Sequence, residues 1–600
     1  MLRKIGICNS IEQRIRVYLE DEVVSQKLFS SFRITTIAIL IIGNAILSPF
    51  LYAEASAQQV NTTNFEITHG IASGDVTDKS AIIWSRVNDQ PAQMNVEYDT
   101  NANFTNPLRK TAQANSTTDF TAHAKLDGLQ PDTQYYYRVW FTGSDLGNDT
   151  NISINNNLSS TPNVAEQVEV GTFRTAPSRN MTSNSSDISF IWAADLGGQS
   201  YCRNVNEGGY SIFKSMQSLI PDFFIANGDM IYADGACPAQ GPTFLNNTNN
   251  QTISWTNIPG DFKSIADPSV DWNNITEVRS IFLEHWKYNR NDTYFKEFLS
   301  NVSMYSQWDD HEIINDWGSK WPYWNLFSID REGYPNIVKE GTDAFLYYSP
   351  LDIDNKTGNA TANDHDEHVY RSFNWGKDLD LFLIDGRSYR SQNHLADTPD
   401  SNKTMLGEEQ LEWLKQELSN SNATWKIISS DVPISIPTGS NASILGRDGW
   451  ANGNETSNYS YYTGFERELT DLLRFVDEHN IKNIVFLTTD VHFPVFFKYN
   501  FDLNNDGNIT DIYELVSGPL SASRTISLAD ASRLGAPFPK LDGTFNPSIL
   551  YQEGTIFNFG YVRIEGGMEN EDNGKPHLIA DIRDENGMVR PGSLLDLTPQ

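Results

Sequence analysis

Apolar residues follow two different spacings along the chain, and the change between them falls near residue 180. Before that point, short apolar stretches alternate with polar positions: Tyr135, Tyr137 and Val139 do so directly after a Pro131-Asp132 turn. Alternation with a period of two is typical of strands that bury one face. Several such strands separated by turns predict a β-sandwich in this region.

After a polar linker, from Pro177 to Asp187, short apolar strands alternate with amphipathic helices. This alternation predicts an α/β sheet whose strand-end loops carry the chemistry. The chain returns to strands near its end. The predicted strands are Ile188–Ala194, Phe223–Ala226, Ile427–Ser430, Ile484–Thr488, Ile556–Glu565 and Leu578–Arg583, and the predicted helices are Tyr210–Leu219, Gly407–Leu418 and Phe465–His479.

The N-terminal segment has the pattern of an export signal or a membrane anchor. No charged residue occurs from Ile34 to Tyr52, basic residues precede this run, and Ala53, Ala55 and Ala57 offer small-residue cleavage sites. The run is also long enough to span a bilayer once. We therefore predict that residues 1–57 are a signal peptide or an anchor, and that the remainder is extracellular, either secreted or tethered to the cell surface.

The chain is strongly acidic and contains few cysteines. Its 44 Lys and Arg residues face 77 Asp and Glu residues, and the net charge of -33 disfavours a nucleic-acid-binding surface. Only 3 Cys are present, which excludes a disulfide scaffold. A single bridge between Cys202 and Cys237 stays open.

Asn-x-Ser/Thr triplets are dense along the chain, with about twenty in total. This density predicts glycans on an outer surface, and an Asn-rich polar surface without glycans is the alternative. Examples lie at Asn61, Asn103, Asn115, Asn148, Asn180, Asn274, Asn291 and Asn301.

Five segments with acidic or histidine residues directly follow apolar, strand-like stretches. The ends of successive parallel strands meet at one edge of a sheet, so these side chains can converge. Ionised carboxylates repel one another, so several of them can share one site only if cations lie between them. Carboxylate, phenolate and imidazole groups together suit iron, calcium, manganese or zinc as the bound metal. The segments are Asp195–Gly198, Asn227–Asp234, Trp308–Glu312, Ser430–Pro433 and Thr489–Phe493.

The order of these segments resembles the calcineurin-like metallophosphoesterases, and their particular forms resemble the alkaline phosphatase D (PhoD-like) family. The matching blocks are GDMIYAD from Gly228, WDDHEIINDW from Trp308, DGRSYR from Asp385 and TDVHF from Thr489. The resemblance covers residues from about 65 to about 585. It implies an α/β metallophosphoesterase sandwich of mixed sheets flanked by helices over residues 186–590. An all-β fibronectin-III- or immunoglobulin-like domain would precede it over residues 62–177.

The resemblance also implies a first metal site. Asp229 would bridge two metals, Tyr232 would bind one of them as a phenolate, and Asp195 and His492 would complete that site, which is expected to hold iron. The best-known form of the family has a cysteine where this chain has Asp195. That difference makes the block similar to the purple acid phosphatase arrangement.

The second metal site implied by the resemblance is richer in oxygen, which favours calcium. Asp310 and Asp490 would hold this second metal, and zinc or manganese are alternatives for either position. His311 would donate a proton to the leaving oxygen, and Arg387, or its neighbour Arg390, would clamp phosphate oxygens. Asp431 is a further candidate ligand whose role stays open.

These expectations describe an exported phosphatase that hydrolyses phosphomonoesters, phosphodiesters or both by a metal-bound hydroxide at a binuclear centre. The competing hypothesis is a non-catalytic adhesion or binding protein of the cell surface on a retired phosphoesterase scaffold. Candidate ligands present in every block favour the enzyme. The residues do not distinguish monoesters, nucleotides and lipid or polymer diesters as substrates.

Overall fold

The computed structural model describes residues 64–143, 167–180, 187–245, 252–318, 333–352, 368–393, 395–398, 400–436, 448–451, 464–524, 546–566 and 576–600. The predicted signal or anchor at residues 1–57 lies outside these ranges. So do several predicted glycan sites, among them Asn61 and Asn148. None of the helices in the described ranges has the length and apolar character needed to cross a membrane.

The strands of the described residues are β1 (Ile67–Gly74), β2 (Ser80–Val87), β3 (Ala92–Asp99), β4 (Leu108–Ala114), β5 (Thr121–Asp127), β6 (Gln134–Gly143), β7 (Glu169–Arg174), β8 (Ile188–Ala193), β9 (Phe223–Asn227), β10 (Gln240–Leu245), β11 (Thr252–Thr256), β12 (Ser303–Gln307), β13 (Arg371–Trp375), β14 (Leu379–Leu383), β15 (Trp425–Ser429), β16 (Ile484–Thr488), β17 (Val495–Phe501), β18 (Thr510–Val516), β19 (Asn546–Gln552), β20 (Asn558–Glu565), β21 (His577–Asp584) and β22 (Leu595–Leu597). The α-helices are α1 (Ile212–Gln217), α2 (Ile275–Arg290), α3 (Thr293–Asn301), α4 (Tyr334–Tyr348), α5 (Gly407–Asn420) and α6 (Glu466–Glu478).

The first seven strands enclose a core of their own. One sheet has the order β4-β3-β6-β7, and β1, β2 and β5 face it. Val96 and Tyr137 of the first sheet share one apolar cluster with Ile71 and Ile83 of the facing strands. The predicted sandwich is therefore present, but its second sheet continues: β1 pairs with β12, so these three strands form one end of a nine-stranded sheet.

Two mixed sheets form the centre of the molecule. The nine-stranded sheet has the order β22-β21-β20-β8-β9-β12-β1-β2-β5, and the seven-stranded sheet has the order β13-β14-β15-β16-β18-β17-β19. They pack face to face through alternate residues of their strands, such as Ile225 and Tyr305 on one sheet and Leu381 and Ile427 on the other. The other face of each sheet is available for helices.

Helices cover both outer faces. Those from α1 to α4 pack on the nine-stranded sheet, and α5 and α6 pack on the seven-stranded sheet. Local sequence fixes some of their ends: Asp292 begins α3 because its carboxylate accepts hydrogen bonds from the backbone N–H groups of Tyr294 and Phe295. The result is a layered arrangement of mixed sheets flanked by helices.

Parallel pairing brings the candidate residues to one edge. Strands β8, β9 and β12 are parallel neighbours in one sheet, and β14, β15, β16 and β18 are parallel neighbours in the other. The loops that follow β8, β9, β12, β14, β15 and β16 therefore leave their sheets at their carboxyl ends. All the candidate residues identified in the sequence lie in these six loops.

Candidate metal centre

Two groups of potential metal ligands form where these loops meet. The first contains Asp195, Asp229 and His492, and within it one ligand atom of each residue lies within 4.8 Å of the others. The second contains Asp229, Asp310 and His311 by the same measure. Asp229 belongs to both groups, which places one carboxylate between two potential cation positions.

The first group is preorganised by its neighbours. His492 Nδ1 lies 2.5 Å from the carbonyl oxygen of Ser523, so the Nδ1–H donates there and Nε2 keeps its lone pair. That Nε2 lies 3.0 Å from the hydroxyl of Tyr232 and 3.6 Å from Oδ1 of Asp195. Burial lowers the pKa of His492 to about 4, which keeps its imidazole neutral and able to bind a metal.

Several carboxylate oxygens at this edge accept no hydrogen bond from any of the described residues. Both oxygens of Asp195 and Oδ1 of Asp310 are buried and accept no hydrogen bond there. Burial raises the pKa of Asp195 to about 8, and burial together with Asp309 and Asp310 raises the pKa of Asp229 well above its usual range. Buried acceptors without donors are what bound cations would satisfy, so these residues fit a metal centre.

Four residues of the centre have a left-handed backbone conformation. Asp195, Asp229, Asp490 and His492 have positive φ angles of 65°, 50°, 73° and 60°. Non-glycine residues in this left-handed region cost free energy and cluster at functional sites. The carboxylate of Glu312 holds one such loop, because it accepts the backbone N–H groups of Asp229, Met230 and Asp309 at 3.0, 2.7 and 2.9 Å.

His311 is held in one orientation beside Tyr232. Its backbone N–H donates to Oδ1 of Asp229 at 3.1 Å, and its Nδ1 lies 2.7 Å from Oδ1 of Asp234. The ring lies 4.1 Å, centroid to centroid, from that of Tyr232. Burial opposes protonation, but Asp234 and Asp310 outweigh it and raise the pKa of His311 to about 10.

Arg387 is placed differently from the expectation of a phosphate clamp. Its side chain is 0% exposed. Its Nη1 and Nη2 donate to the two carboxylate oxygens of Asp448 at 3.0 and 2.7 Å, and its Nε donates to Asp309 at 2.7 Å. Nε also lies 3.2 Å from Oδ2 of Asp431. The guanidinium thus binds carboxylates behind the two ligand groups.

Two of the remaining candidates lie outside both groups. Asp431 is fully buried against Arg387, and Asp490 is half-buried in the loop after β16. Burial, with Asp448 and Asp310 nearby, raises the pKa of Asp490 well above its usual range. The carboxyl group of Asp490 therefore interacts electrostatically with Asp310 of the second ligand group.

Three acidic residues at the centre were not singled out from the sequence. Asp234 and Asp316 lie inside the quoted blocks and could have been found there, because they are acids within motifs already assigned to the site. Asp316 and Asp448 form a third acidic group with Asp310. Asp448 has no motif around it, so only the fold identifies it.

The Cys202–Cys237 pair that the sequence left open is a disulfide, with the two Cα atoms 5.8 Å apart. It joins the loop that carries Asp195 to the loop that carries Asp229 and Tyr232. The side chain of Asn257 bridges the same two loops, since it donates to the carbonyl oxygens of Ser200 and Pro238 at 3.0 and 2.8 Å.

Comparison with known proteins gives one family. The model described as PhoD-like phosphatase matches residues 196–573, and the model of its N-terminal domain matches residues 53–177. Alkaline phosphatase D of Bacillus subtilis (strain 168) is 25% identical over 453 residues, which cover 72% of this chain and 65% of that protein. The match thus spans slightly less than two thirds of the relative's own length.

A solved structure shares the fold. The structure of PhoD matches with a TM-score of 0.60 at 19% identity, over 90% of this chain and 94% of that one. A purple acid phosphatase from yellow lupin (Lupinus luteus) seeds has a TM-score of 0.48 at 13% identity, over 88% and 73% of the two chains.

Proposed function

Because the chain belongs to the PhoD-like phosphatase family, we propose that it is an exported metal-dependent hydrolase of phosphomonoesters, phosphodiesters or both. The single observation that carries this proposal is Asp229, which has an oxygen within 4.8 Å of ligand atoms of Asp195 and His492 in one group and of Asp310 in the other. A retired scaffold that serves only adhesion would have no need to keep both groups assembled.

The residues suggest which cation each group would hold. The first group would be completed by Tyr232, whose phenolate suits iron. The second group would hold a cation between Asp229 and Asp310, with Asp490 close enough to add charge, and this oxygen-rich group suits calcium. When bound, two such cations would polarise a phosphoryl oxygen and lower the pKa of a water molecule.

The chain's own residues would bind, orient and move protons. His492 presents Nε2 to the first group because Ser523 holds its Nδ1–H. Asp234 would stabilise the protonated form of His311, which would donate its Nε2 proton to the departing oxygen. Arg387 would act as a positioning residue that fixes Asp309, Asp431 and Asp448 behind the centre.

Export and glycosylation belong to the same proposal. In the described ranges, the Asn-x-Ser/Thr asparagines are exposed except for the half-buried Asn115. We propose residues 62–177 and 186–590 as the N-terminal and catalytic domains, and residues 1–57 as the export signal or anchor. Mass spectrometry of the native protein should find glycans on asparagines such as Asn103 or Asn508. An unmodified protein in the cytoplasm would contradict this part.

The activity is tested with a panel of phosphate esters. Wild-type protein should hydrolyse an aryl phosphomonoester or diester, lose that activity after chelation, and regain it when iron and calcium are returned. Aryl carboxylate esters of the same leaving group are the control, because the proposal predicts no acceleration of their hydrolysis. Activity on phosphate esters that survives complete removal of metal would contradict the proposal.

A further inference from the structure

An anionic substrate that approaches this centre meets mainly carboxylates. Arg387 is already bound to Asp309 and Asp448, and Arg390 is 1% exposed with its Nη1 3.2 Å from Oδ1 of Asp448. In a chain with a net charge of -33, a partly exposed cation close to the ligand groups would strongly affect substrate binding.

A short segment after the cis Gly518-Pro519 bond is fixed beside the first ligand group. The backbone N–H groups of Gly197 and Gly198 donate to the carbonyl oxygen of Ser521 at 2.6 and 2.9 Å. This binds the segment to the loop that carries Asp195, so its position follows that of the metal ligand.

Ser523 continues the attachment. The backbone N–H of Ser523 donates to the side-chain oxygen of Gln199 at 3.0 Å, and Gln199 adopts a φ of 48° at this position. The carbonyl oxygen of Ser523 accepts the Nδ1–H of His492. Arg524 therefore directly follows the carbonyl group that orients His492, a candidate metal ligand.

The Arg524 side chain is half-buried and held at the same edge of the sheet. Its Cζ lies 4.5 Å from the ring centroid of Phe557, and its Nη1 donates to the carbonyl oxygen of Thr555 at 3.3 Å. Phe557 directly precedes β20, and Gly560 of β20 pairs with Trp192 near the carboxyl end of β8. The guanidinium thus lies at the edge where Asp195 follows β8.

A carboxylate in this neighbourhood competes with phosphate for Arg524. Glu585, which follows β21 at the same edge, interacts electrostatically with the guanidinium. The N–H donors of a guanidinium lie in its own plane, so a guanidinium held over an aromatic ring can still bind a phosphate group. A phosphate would therefore bind at the rim of the guanidinium and leave the stacking on Phe557 in place.

We propose that Arg524 binds the anionic oxygens of the substrate's phosphate group and so favours phosphomonoester dianions over phosphodiester monoanions. This inference rests on the proposed phosphatase activity, which it extends to substrate selection. Attraction to one guanidinium is proportional to the charge of the ligand, so a dianion gains about twice the Coulomb energy of a monoanion.

The experiment compares Arg524→Ala and Arg524→Lys with Arg563→Ala in the full-length, metal-loaded protein. Arg563 is a matched control because it is also half-buried and its Cζ lies 6.0 Å from the ring centroid of Tyr561, but it pairs with Glu565 at the far end of β20. The probes are an aryl phosphomonoester, a bis-aryl phosphodiester and inorganic phosphate. The readouts are KM, kcat and the dissociation constant of phosphate from calorimetry.

We expect Arg524→Ala to raise KM for the monoester and the dissociation constant of phosphate about tenfold, as for one lost charge-assisted hydrogen bond, with a smaller effect on kcat. KM for the diester should rise about threefold, because half the interaction energy corresponds to the square root of the fold-change. Arg524→Lys should fall between wild type and Arg524→Ala, and Arg563→Ala should match wild type.

Unchanged phosphate binding in Arg524→Ala would overturn the proposal, as would equal losses on the two esters or an equal loss in Arg563→Ala. Thermal unfolding checks that each variant is folded, and Arg524→Gln replaces the alanine variant if that variant unfolds. If wild-type protein hydrolyses neither ester, the proposed function fails, whereas the phosphate titration still decides whether Arg524 binds the anion.

Discussion

Nδ1 of His311 lies 2.7 Å from Oδ1 of Asp234, and this pair orients the imidazole beside the carboxylate shared by the two ligand groups. The other oxygen of Asp234 accepts the backbone N–H of Asn315 at 3.0 Å, so the carboxylate cannot rotate freely. The pair therefore fixes both the direction of Nε2 and the charge of the ring.

The first prediction separates a proton donor from a metal ligand. A donor is needed chiefly when the departing oxygen is a poor leaving group, so His311→Ala should lower kcat on an alkyl phosphate about 10²–10⁴-fold and affect an activated aryl phosphate little. Its metal content should be unchanged. The exposed His479 provides a control variant, His479→Ala, that should behave as wild type. Equal losses on both substrates together with lost metal would make His311 a ligand instead.

The second prediction concerns the phenolate. If Tyr232 binds ferric iron, the iron-loaded protein should show a visible charge-transfer band, and Tyr232→Phe should abolish it while the fold is retained. Tyr210→Phe is the control, because Tyr210 is equally buried but its hydroxyl hydrogen-bonds Asn289 at 2.8 Å. A band that persists in Tyr232→Phe would remove this residue from the iron site.

The third prediction is a pH dependence of the metal-free protein. Burial raises the pKa of Asp195 from its usual value near 4 to about 8, so the folded state binds more protons than the unfolded state between these values. The free energy of unfolding should therefore fall as the pH rises from about 4 to about 8. Cations would replace the protons, so the metal-loaded protein should lose less stability over that interval. Denaturant unfolding at pH 5 and pH 8 measures how the free energy of unfolding changes with pH in the metal-free and the metal-loaded protein. The same change in both forms would contradict this prediction.

The fourth prediction concerns the disulfide that joins the two ligand-bearing loops. Replacing Cys202 and Cys237 together by serine opens a crosslink between residues 35 positions apart, which usually costs about 2–4 kcal/mol. The variant should also lose metal faster to a chelator, because the loops of Asp195 and Asp229 are then less well fixed. A dithiol reductant should reproduce both effects in wild-type protein and have none on the variant. Unchanged metal retention would show that the Asn257 bridge is sufficient.

Much of the centre could be predicted from the sequence because its residues follow buried strands in a fixed order. Asp195, Asp229 and His492 each lie within a few residues of the end of a strand that the apolar pattern identifies. The strand before Asp310, β12, is not among the predicted strands. Parallel neighbours carry such positions to one edge, so convergence follows from topology. Strand ends differed from the sequence expectation by one or two residues, as for β15, which begins at Trp425.

The partners of buried charges could not be predicted in the same way. Arg387 lies in a motif, and its position in the sequence gives no sign that Asp309 and Asp448 enclose it. Asp448 comes from a loop without any pattern, and its pKa falls to about 2 because Arg387 and Arg390 outweigh the effect of burial. Such pairings depend on contacts between distant segments, which spacing along one chain does not record.

The sequence pattern also does not predict how many strands each sheet contains. Apolar residues such as Ile82 and Ile83 indicate the strand β2, but the pairing of Gly74 with Met304 that joins β1 to the rest of the nine-stranded sheet is a long-range contact. By contrast, α2 has apolar residues at helical spacing, at Val278, Ile281 and Phe282, and this pattern could have been recognised.

The most direct test of the account is the number of metal ions that the protein holds with and without the shared carboxylate. Wild-type protein and Asp229→Asn would be loaded with iron and calcium, desalted and analysed for metal per chain. The control is Asp506→Asn, in the exposed turn that joins the antiparallel strands β17 and β18. Wild type and the control should each hold about two metal ions, and Asp229→Asn should lose both together, because one charge holds both cations. Full retention in that variant, or the loss of one ion alone, would contradict the claim that Asp229 bridges a binuclear centre.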